Sequence, residues 1–438
     1  MYKNSLKIFN IYYLFTILFY CFGKYKWEIP SYPKLLLYVV FCYVALNAGY
    51  ACFYVRKGKL LFGYYREYKK VKIEYRKIRP LFLISAFSMI FFQILIVVVY
   101  FDKFSIANVF SMIGDNYYAR LQTTFDSTVP IMQVRTLLWG LTMFVYPITF
   151  LYFENMRVSD RIIGIATICI DILSSLNLGI SKNIGDIVVA LIAMVILRNA
   201  VNPDPVEYSK EKRKNIKRII IVIMIFLILF TNIQSSRSAA KSGSTNPFRA
   251  FSSLREHTVY SLVFGADSSF VSMIDKVGEY FSHAYTGLAY ALELPFKNTY
   301  GLGFSRALME YANQYFHISL SDLTYNARIE TINGWYDGMW WPTAIVWIAN
   351  SVSFLFVPVI LFLIGMFVRR LENEYAATRS PIVAAMYWQM VILLFYLPCN
   401  MQIFQSRAAL WGMILLTIAY MFRRTLRRTF KVEAFECQ

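Results

Sequence analysis

Ten apolar runs dominate this chain, at residues 6–23, 35–55, 81–101, 136–154, 162–179, 184–198, 219–233, 343–368, 382–403 and 407–422. A helix needs about 20 mostly apolar residues to cross a hydrocarbon core about 30 Å thick, and a core helix of a water-soluble protein rarely stays apolar that long. Composition agrees, with 58% of residues hydrophobic and 18% aromatic and a mean hydropathy of +0.46. The expected fold class is an all-α polytopic integral membrane protein with about 10 transmembrane helices. The runs 184–198 and 219–233 are short, so they are expected to extend at their ends or to be broken or re-entrant. The first run follows Lys3 and Lys7, but CFGKYKW lacks a small-residue cleavage pattern, so it is read as a retained helix rather than a signal peptide.

Orientation comes from the cations. With the N-terminus inside, residues 1–7, 56–80, 155–161, 198–218, 369–380 and 423–438 are cytoplasmic and hold 29 of the 45 lysines and arginines. That is the positive-inside pattern, and both termini are then cytoplasmic. The net charge of +19 is accounted for in this way. It implies attraction to anionic lipid heads and excludes a nucleic-acid partner. Three blocks follow: 1–233 with helices 1–7 and basic loops at 56–80 and 198–218, a large outer loop at 234–342, and 343–438 with helices 8–10 and a basic tail. Trp139, Trp335, Trp340, Trp341 and Trp411 fall near the outer boundaries, as an aromatic belt would. Cys21, Cys42, Cys52, Cys169 and Cys399 lie in the apolar runs and Cys437 in the tail, so neither a disulfide framework nor a metal site is expected.

A loop of 109 residues is far longer than a connection between two helices requires, which marks it as functional. Within it, DKVGEYFSHAYTGLAYALELP has a helical period. Lys276, Glu279, His283, Thr286 and Tyr290 share one face, and Val277, Phe281, Ala284, Leu288 and Ala291 share another. Pro295 ends this helix, NTYGLG forms a turn, and SRALMEYANQYF resumes helical spacing. The loop is expected to be a small helical subdomain on the outer membrane surface.

All three histidines, His257, His283 and His317, lie in that loop. His283 shares a face with Glu279, whose carboxylate one turn away could orient the imidazole as a general base. His257 follows Arg255 and Glu256 and is a second candidate, and the alternative for each is a surface histidine. Outer-face cations include Lys182, Arg237, Lys241, Arg249, Arg255, Arg306, Arg328 and Arg407. Lys182 and Arg407 sit in very short turns at the membrane boundary, where a lipid-linked phosphate would lie. Snorkelling is the alternative for both. Lys182 belongs to GISKNIGD, residues 179–186, a tight hairpin flanked by the intramembrane carboxylates Asp171 and Asp186. Pairing of these acids with a nearby cation is one reading, and proton coupling is the other. No DxD pair, HExxH, GxSxG or P-loop occurs.

The layout resembles the bacterial O-antigen polymerase (Wzy) family, the oligosaccharide repeat-unit polymerases. The likeness lies in about ten helices with one large loop in the second half, in the hairpin LNLGISKNIGDIVVALIAMVIL, and in YFSHAYTGLAYALELPFKNTYGLG. The turn carries Lys182 where an arginine is common in the family. The resemblance implies a bacterial inner membrane, a periplasmic loop, and a substrate of oligosaccharide on undecaprenyl pyrophosphate, with a chain-length regulator as a possible protein partner. The growing glycan would pass to the terminal sugar of a lipid-linked repeat without a metal or other cofactor. The role of a periplasmic histidine carries over to His283, with Glu279 behind it, and His257 stands as a further catalytic candidate on its own residues. Pyrophosphate binding carries over to the outer arginines Arg237, Arg249, Arg255, Arg306, Arg328 and Arg407. Lys182 is a candidate by its place in the turn, where lysine instead of arginine weakens bidentate binding.

A flippase or transporter of lipid-linked oligosaccharide is the main rival, although its duplicated halves are not visible here. An O-antigen ligase differs only in its acceptor. A membrane O-acetyltransferase would place its histidine to meet a cytoplasmic acyl donor, and a purely structural membrane partner is the remaining alternative.

Overall fold

The computed structural model describes residues 5–52, 59–60, 63–64, 75–100, 113–122, 130–201, 205–240 and 248–423. Most of the basic loop 56–80, residues 202–204 of the loop 198–218, Lys241 and the tail after Arg423 lie outside the described residues. In chain order the helices are α1 (Leu6–Phe22), α2 (Tyr32–Cys52), α3 (Tyr75–Tyr100), α4 (Ile113–Gln122), α5 (Pro130–Thr142) and α6 (Val145–Tyr152). Next come α7 (Val158–Asn177), α8 (Ser181–Val201), α9 (Pro205–Ala240), α10 (Val259–Phe264), α11 (Ser269–Ser282) and α12 (Ala284–Ala291). The chain continues with α13 (Arg306–Phe316), α14 (Tyr325–Asn333), α15 (Ala344–Thr378), α16 (Pro381–Tyr396) and α17 (Arg407–Met421). Short strands β1 (Tyr25–Trp27), β2 (Lys59–Leu60), β3 (Gly63–Tyr64) and β4 (Ser252–Leu254) form two antiparallel pairs, β1 with β4 and β2 with β3.

Each of the ten apolar runs falls largely on helix. Among the described residues, five helical stretches are long and apolar enough to cross a membrane by length and composition: Tyr32–Cys52, Tyr75–Ile96, Gln133–Asn155, Ile219–Arg237 and Ala344–Thr378. Leu6–Phe22, Pro381–Tyr396 and Arg407–Met421 are shorter apolar helices. The two short runs extend, into the 21 residues of α8 and the 36 of α9. Outward-facing side chains agree with a membrane protein. Ile8, Ile11, Leu14, Phe15, Leu18 and Phe22 lie exposed along one side of α1, and Leu37, Val40, Phe41 and Val44 along one side of α2. Such stripes in water would be large apolar patches of the kind folded monomers avoid.

The chain divides into two compact units, each drawn from three stretches. One comprises Met1–Tyr65, Ser244–Arg370 and Ile392–Leu410, and the other Arg66–Gly243, Leu371–Val391 and Trp411–Gln438. In the first unit α2 and α15 meet through glycines. A Cβ on Gly49 would stand 1.8 Å from the Phe362 carbonyl oxygen, and one on Gly365 2.1 Å from that of Leu46. Only backbone fits there, which is how small residues let membrane helices approach. Most of the stretch expected to form a helical subdomain, from Ser244 on, is part of this unit and packs on α1 and α2. Tyr285 on α12 meets Thr16 Oγ1 of α1 at 3.0 Å and the Tyr43 hydroxyl of α2 at 2.8 Å, and Thr286 Oγ1 meets the Tyr20 hydroxyl at 3.1 Å. The physical reason is that α12 carries hydroxyls toward tyrosines that would otherwise be buried without partners.

The second unit holds the hairpin of α7 and α8, packed with α4 and α9 around Ile113, Leu176, Ile184 and Ile233. Gly179 makes the turn at φ +62°, with the Ile113 carbonyl 2.6 Å from where a Cβ would sit, so no larger residue fits. At the start of α7, Asp160 is fully buried. It accepts Arg79 Nε at 2.8 Å and the Tyr75 hydroxyl at 3.1 Å. Hydrogen bonds from Arg79 hold its carboxyl below the ordinary aspartate range against the opposing effect of burial.

Candidate functional site

His283 stands at the junction of α11 and α12, ending the first and starting the second. Its imidazole is 5% exposed, and Nδ1 lies 2.9 Å from the Glu279 carbonyl oxygen. That oxygen can only accept, so Nδ1 carries the proton and Nε2 presents a lone pair. Nε2 is buried and has no hydrogen-bond partner. Burial, the larger influence, lowers the imidazole pKa to about 4 against the raising effect of the carbonyl contact, so the ring is neutral near pH 7.

Aromatic rings pack around the imidazole. Trp341, Phe248 and Trp335 have ring centroids 5.5, 5.6 and 6.3 Å from the imidazole. A further layer backs them: Phe251 is 4.9 Å from Trp335 and 5.2 Å from Trp340, and Trp27 of β1 is 5.0 Å from Phe248. The indole N–H groups of Trp335 and Trp341 are also buried without partners. One acceptor and two donors without partners are therefore carried by rings packed against one another. An unsatisfied buried polar atom costs roughly 1–3 kcal/mol, so three of them together mark a site built for something other than packing.

Of the belt expected at Trp335, Trp340 and Trp341, Trp335 is packed inside the protein and 0% exposed. WYDGMWW holds the signal, three indoles in seven residues, but nothing in it names His283 as the partner. Phe248, Trp27 and Tyr25 are contributors that periodicity did not single out.

Glu279 does not orient the imidazole with its carboxylate, as its place on the helix suggested. The carboxylate accepts the Tyr25 hydroxyl at 2.9 Å, and its backbone carbonyl serves His283. Burial raises its pKa, with Tyr25 acting in the lowering direction. Asp275, one turn earlier, accepts the Tyr260 hydroxyl at 2.6 Å and stands 4.0 Å from Lys24 Nζ. These residues edge a small cleft with Phe19 and Gly278. His257 lies exposed on the chain between β4 and α10, and His317 is exposed just beyond α13.

Three of the seven candidate phosphate-binding cations are already matched to carboxylates. Arg306 donates to Asp337 at 2.5 Å, Arg407 to Glu310 at 3.1 Å, and Lys182 to Asp186 at 2.5 Å. Three more serve backbone carbonyls. Arg255 donates to Cys21 O at 2.7 Å, and Arg328 to Pro295 O at 2.8 Å and Thr324 O at 3.3 Å. Arg237 donates to Gly179 O and stacks 3.9 Å over Tyr117. Arg249 is exposed beside Phe248. Arg255 Nε and one terminal nitrogen of Arg328 remain buried and unpartnered, and burial lowers the Arg328 pKa.

His283, Glu279, His257, Arg249, Arg255, Arg306, Arg328 and Arg407 belong to the first unit, whereas Lys182 and Arg237 belong to the second. In the second unit Asp171 accepts from Gln93 Nε2 and the Tyr146 hydroxyl, and Gln93 Oε1 accepts from Ser174 at 2.9 Å. Among the described residues no cluster of three or more His, Cys, Asp or Glu could hold a metal ion. No protein-family model, characterised protein or solved structure matches the chain, so the geometry of its own residues is the ground on which its function is read.

Proposed function

We propose that the chain is a membrane glycosyltransferase that polymerises oligosaccharide repeat units carried on undecaprenyl pyrophosphate. It would work on the periplasmic face of a bacterial inner membrane, with ten helices crossing the membrane and both termini in the cytoplasm. The positive-inside distribution of the cations supports the orientation. The observation that carries the activity is His283: a neutral imidazole with one nitrogen anchored to backbone and the other unpartnered within a cage of indole and phenyl rings.

Aromatic faces suit the apolar faces of sugar rings, and the two indole N–H groups can donate to sugar oxygens. In the reaction an acceptor hydroxyl attacks the anomeric carbon of the donor. His283 Nε2 takes the hydroxyl proton as the new C–O bond forms, and the lipid pyrophosphate leaves with the electrons of the broken bond. Arg255 and Arg328, each with a buried unpartnered nitrogen, are the cations proposed to meet the developing negative charge. Nε2 is closed over by its rings, so substrate entry requires Trp341 or Phe248 to swing aside.

The test is the length profile of surface glycan in cells lacking the gene, complemented with wild type, His283→Ala or His283→Gln. Wild type should restore a ladder, and both variants, present in the membrane at wild-type level, should leave a core bearing a single repeat. A ladder from either variant removes His283 from the chemistry. Loss of all surface repeats in the deletion strain, with lipid-linked units trapped on the cytoplasmic side, points instead to transport.

A further inference from the structure

Helix α10 is apolar on its outside. Val259, Leu262, Val263 and Phe264 are 73%, 71%, 69% and 54% exposed, and Phe270 at the start of α11 stacks edge-on to Phe264 at 4.8 Å. Its polar groups are turned inward and satisfied. Thr258 and Ser261 form a reciprocal cap at the helix start, and the Tyr260 hydroxyl donates to Asp275. A surface segment in water shows the reverse pattern, with polar groups out and apolar groups in.

The neighbours of α10 say what covers it. Tyr260 packs 6.2 Å from Phe19 of α1, and on α11 a Cβ at Gly278 would lie 2.9 Å from the same Phe19 ring. Phe19 sits within the C-terminal turns of α1, between Phe15 and Leu18 on one side and Phe22 on the other, all three exposed apolar residues. Four residues before α10, β4 pairs with β1, which follows the end of α1 directly. The exposed apolar residues of α10 therefore lie beside the end of α1, where Phe15, Leu18 and Phe22 are exposed and apolar as well. Exposed polar residues bound the segment, Glu256 and His257 before it and Asp267 after.

We infer that α10 and the first turn of α11 are seated in the bilayer, with Val259, Leu262, Val263 and Phe264 in the boundary between headgroups and acyl chains. An interfacial helix lies in the plane of the membrane surface with its apolar face sunk roughly 5–10 Å into the headgroup and acyl boundary. The occupant of this face is lipid, and the seating holds however the His283 site is used. Its consequence is mechanical: α11, which carries Glu279 and ends at His283, is tied at its start to the membrane surface.

The experiment uses the whole protein in lipid nanodiscs, with its native cysteines replaced and a nitrobenzoxadiazole fluorophore attached to Leu262→Cys. Val259→Cys serves as a second position on the same face, and Tyr300→Cys, in the polar turn after Lys297, as a water-exposed reference. Brominated phosphatidylcholine should quench the labels at 259 and 262 several-fold more than at 300, and aqueous iodide should quench them several-fold less. Iodide quenching at both positions equal to that at 300 overturns the inference. Protection of both from bromolipid and iodide alike also overturns it, because protein, such as a second copy of the chain, then covers the face.

Discussion

His283 and Asp171 are both buried ionisable side chains, one in each unit, and their surroundings are opposite in kind. Asp171 is saturated: Gln93 and Tyr146 each donate to its carboxylate, and Ser174 holds Gln93 in turn. His283 is half-satisfied, with Nδ1 fixed and Nε2 left bare among rings whose own N–H groups lack partners. A saturated polar network rigidifies the helices it joins, here α3, α6 and α7. An unsatisfied group in an otherwise packed core is kept at a cost, and that cost is explained when the group has work to do. The difference fits Asp171 as a residue that holds its helices together and His283 as the residue proposed above for the chemistry.

Exchanging the two fates by mutation tests that assignment most severely. Asp171→Ala leaves two buried donors unpaired and should destabilise the protein by roughly 2–5 kcal/mol, seen as a large drop in the unfolding temperature of detergent-purified protein. His283→Phe should behave in the opposite way. The Glu279 carbonyl keeps its bond to the His283 backbone N–H at 3.1 Å, and the ring replaces a bare nitrogen with a carbon among aromatic neighbours, so stability should change by about 1 kcal/mol or less. Polymer formation should nevertheless be lost. A His283→Phe protein that still builds long glycan would make the histidine a core residue, and the contrast would collapse.

Much of this contrast was open to sequence reasoning at the level of elements and closed to it at the level of partners. The apolar runs announce their helices because nothing but a bilayer or a very large core tolerates them. GISK announces its turn because Gly179 must take a positive φ. By contrast, the period of 276–290 identified a distinct face without revealing that it turns inward. Thr286 and His283 are buried because Tyr20 of α1 and Trp335 from beyond α14 meet them, and no local pattern encodes those meetings. Likewise, the cations of the outer segments can be counted in the sequence. Which of them are already neutralised, as Arg306 is by Asp337 or Arg407 by Glu310, depends on residues 31 and 97 positions away.

Acid titration sharpens the comparison from the His283 side. Its folded-state pKa of about 4 lies below the ordinary value of 6.5, so between those values the unfolded chain binds the proton that the native state refuses. Stability is then fully present above pH 6.5 and falls as the pH drops toward 4, by about 3 kcal/mol for a shift of this size. Glu279 acts in the opposite sense. Its raised pKa stabilises the native state below the ordinary glutamate value, an effect lost as the pH rises through the folded-state value. His283→Gln isolates the first effect, and its unfolding temperature should decline less than that of wild type between pH 6.5 and 4.5. Parallel declines would mean that the imidazole is not held neutral by its cage.

The smallest expected effect concerns Lys182, where the sequence resemblance and the structure make different demands. If its main role is the i,i+4 pair with Asp186 at 2.5 Å, with the lysine side chain 33% exposed, then Lys182→Met should cost about 0–1 kcal/mol, the range for partly exposed ion pairs. Glycan length should then stay at the wild-type profile, because charge recognition of the pyrophosphate would fall to cations of the first unit such as Arg255 and Arg328. Arg255→Gln is the matched comparison, and it should shorten the ladder at unchanged protein level. If Lys182→Met instead shortens the ladder while Arg255→Gln leaves it intact, the pyrophosphate is read from the hairpin of the second unit. Asp186 would then hold Lys182 ready for the phosphate rather than merely neutralise it, and chemistry could no longer be assigned to one unit alone.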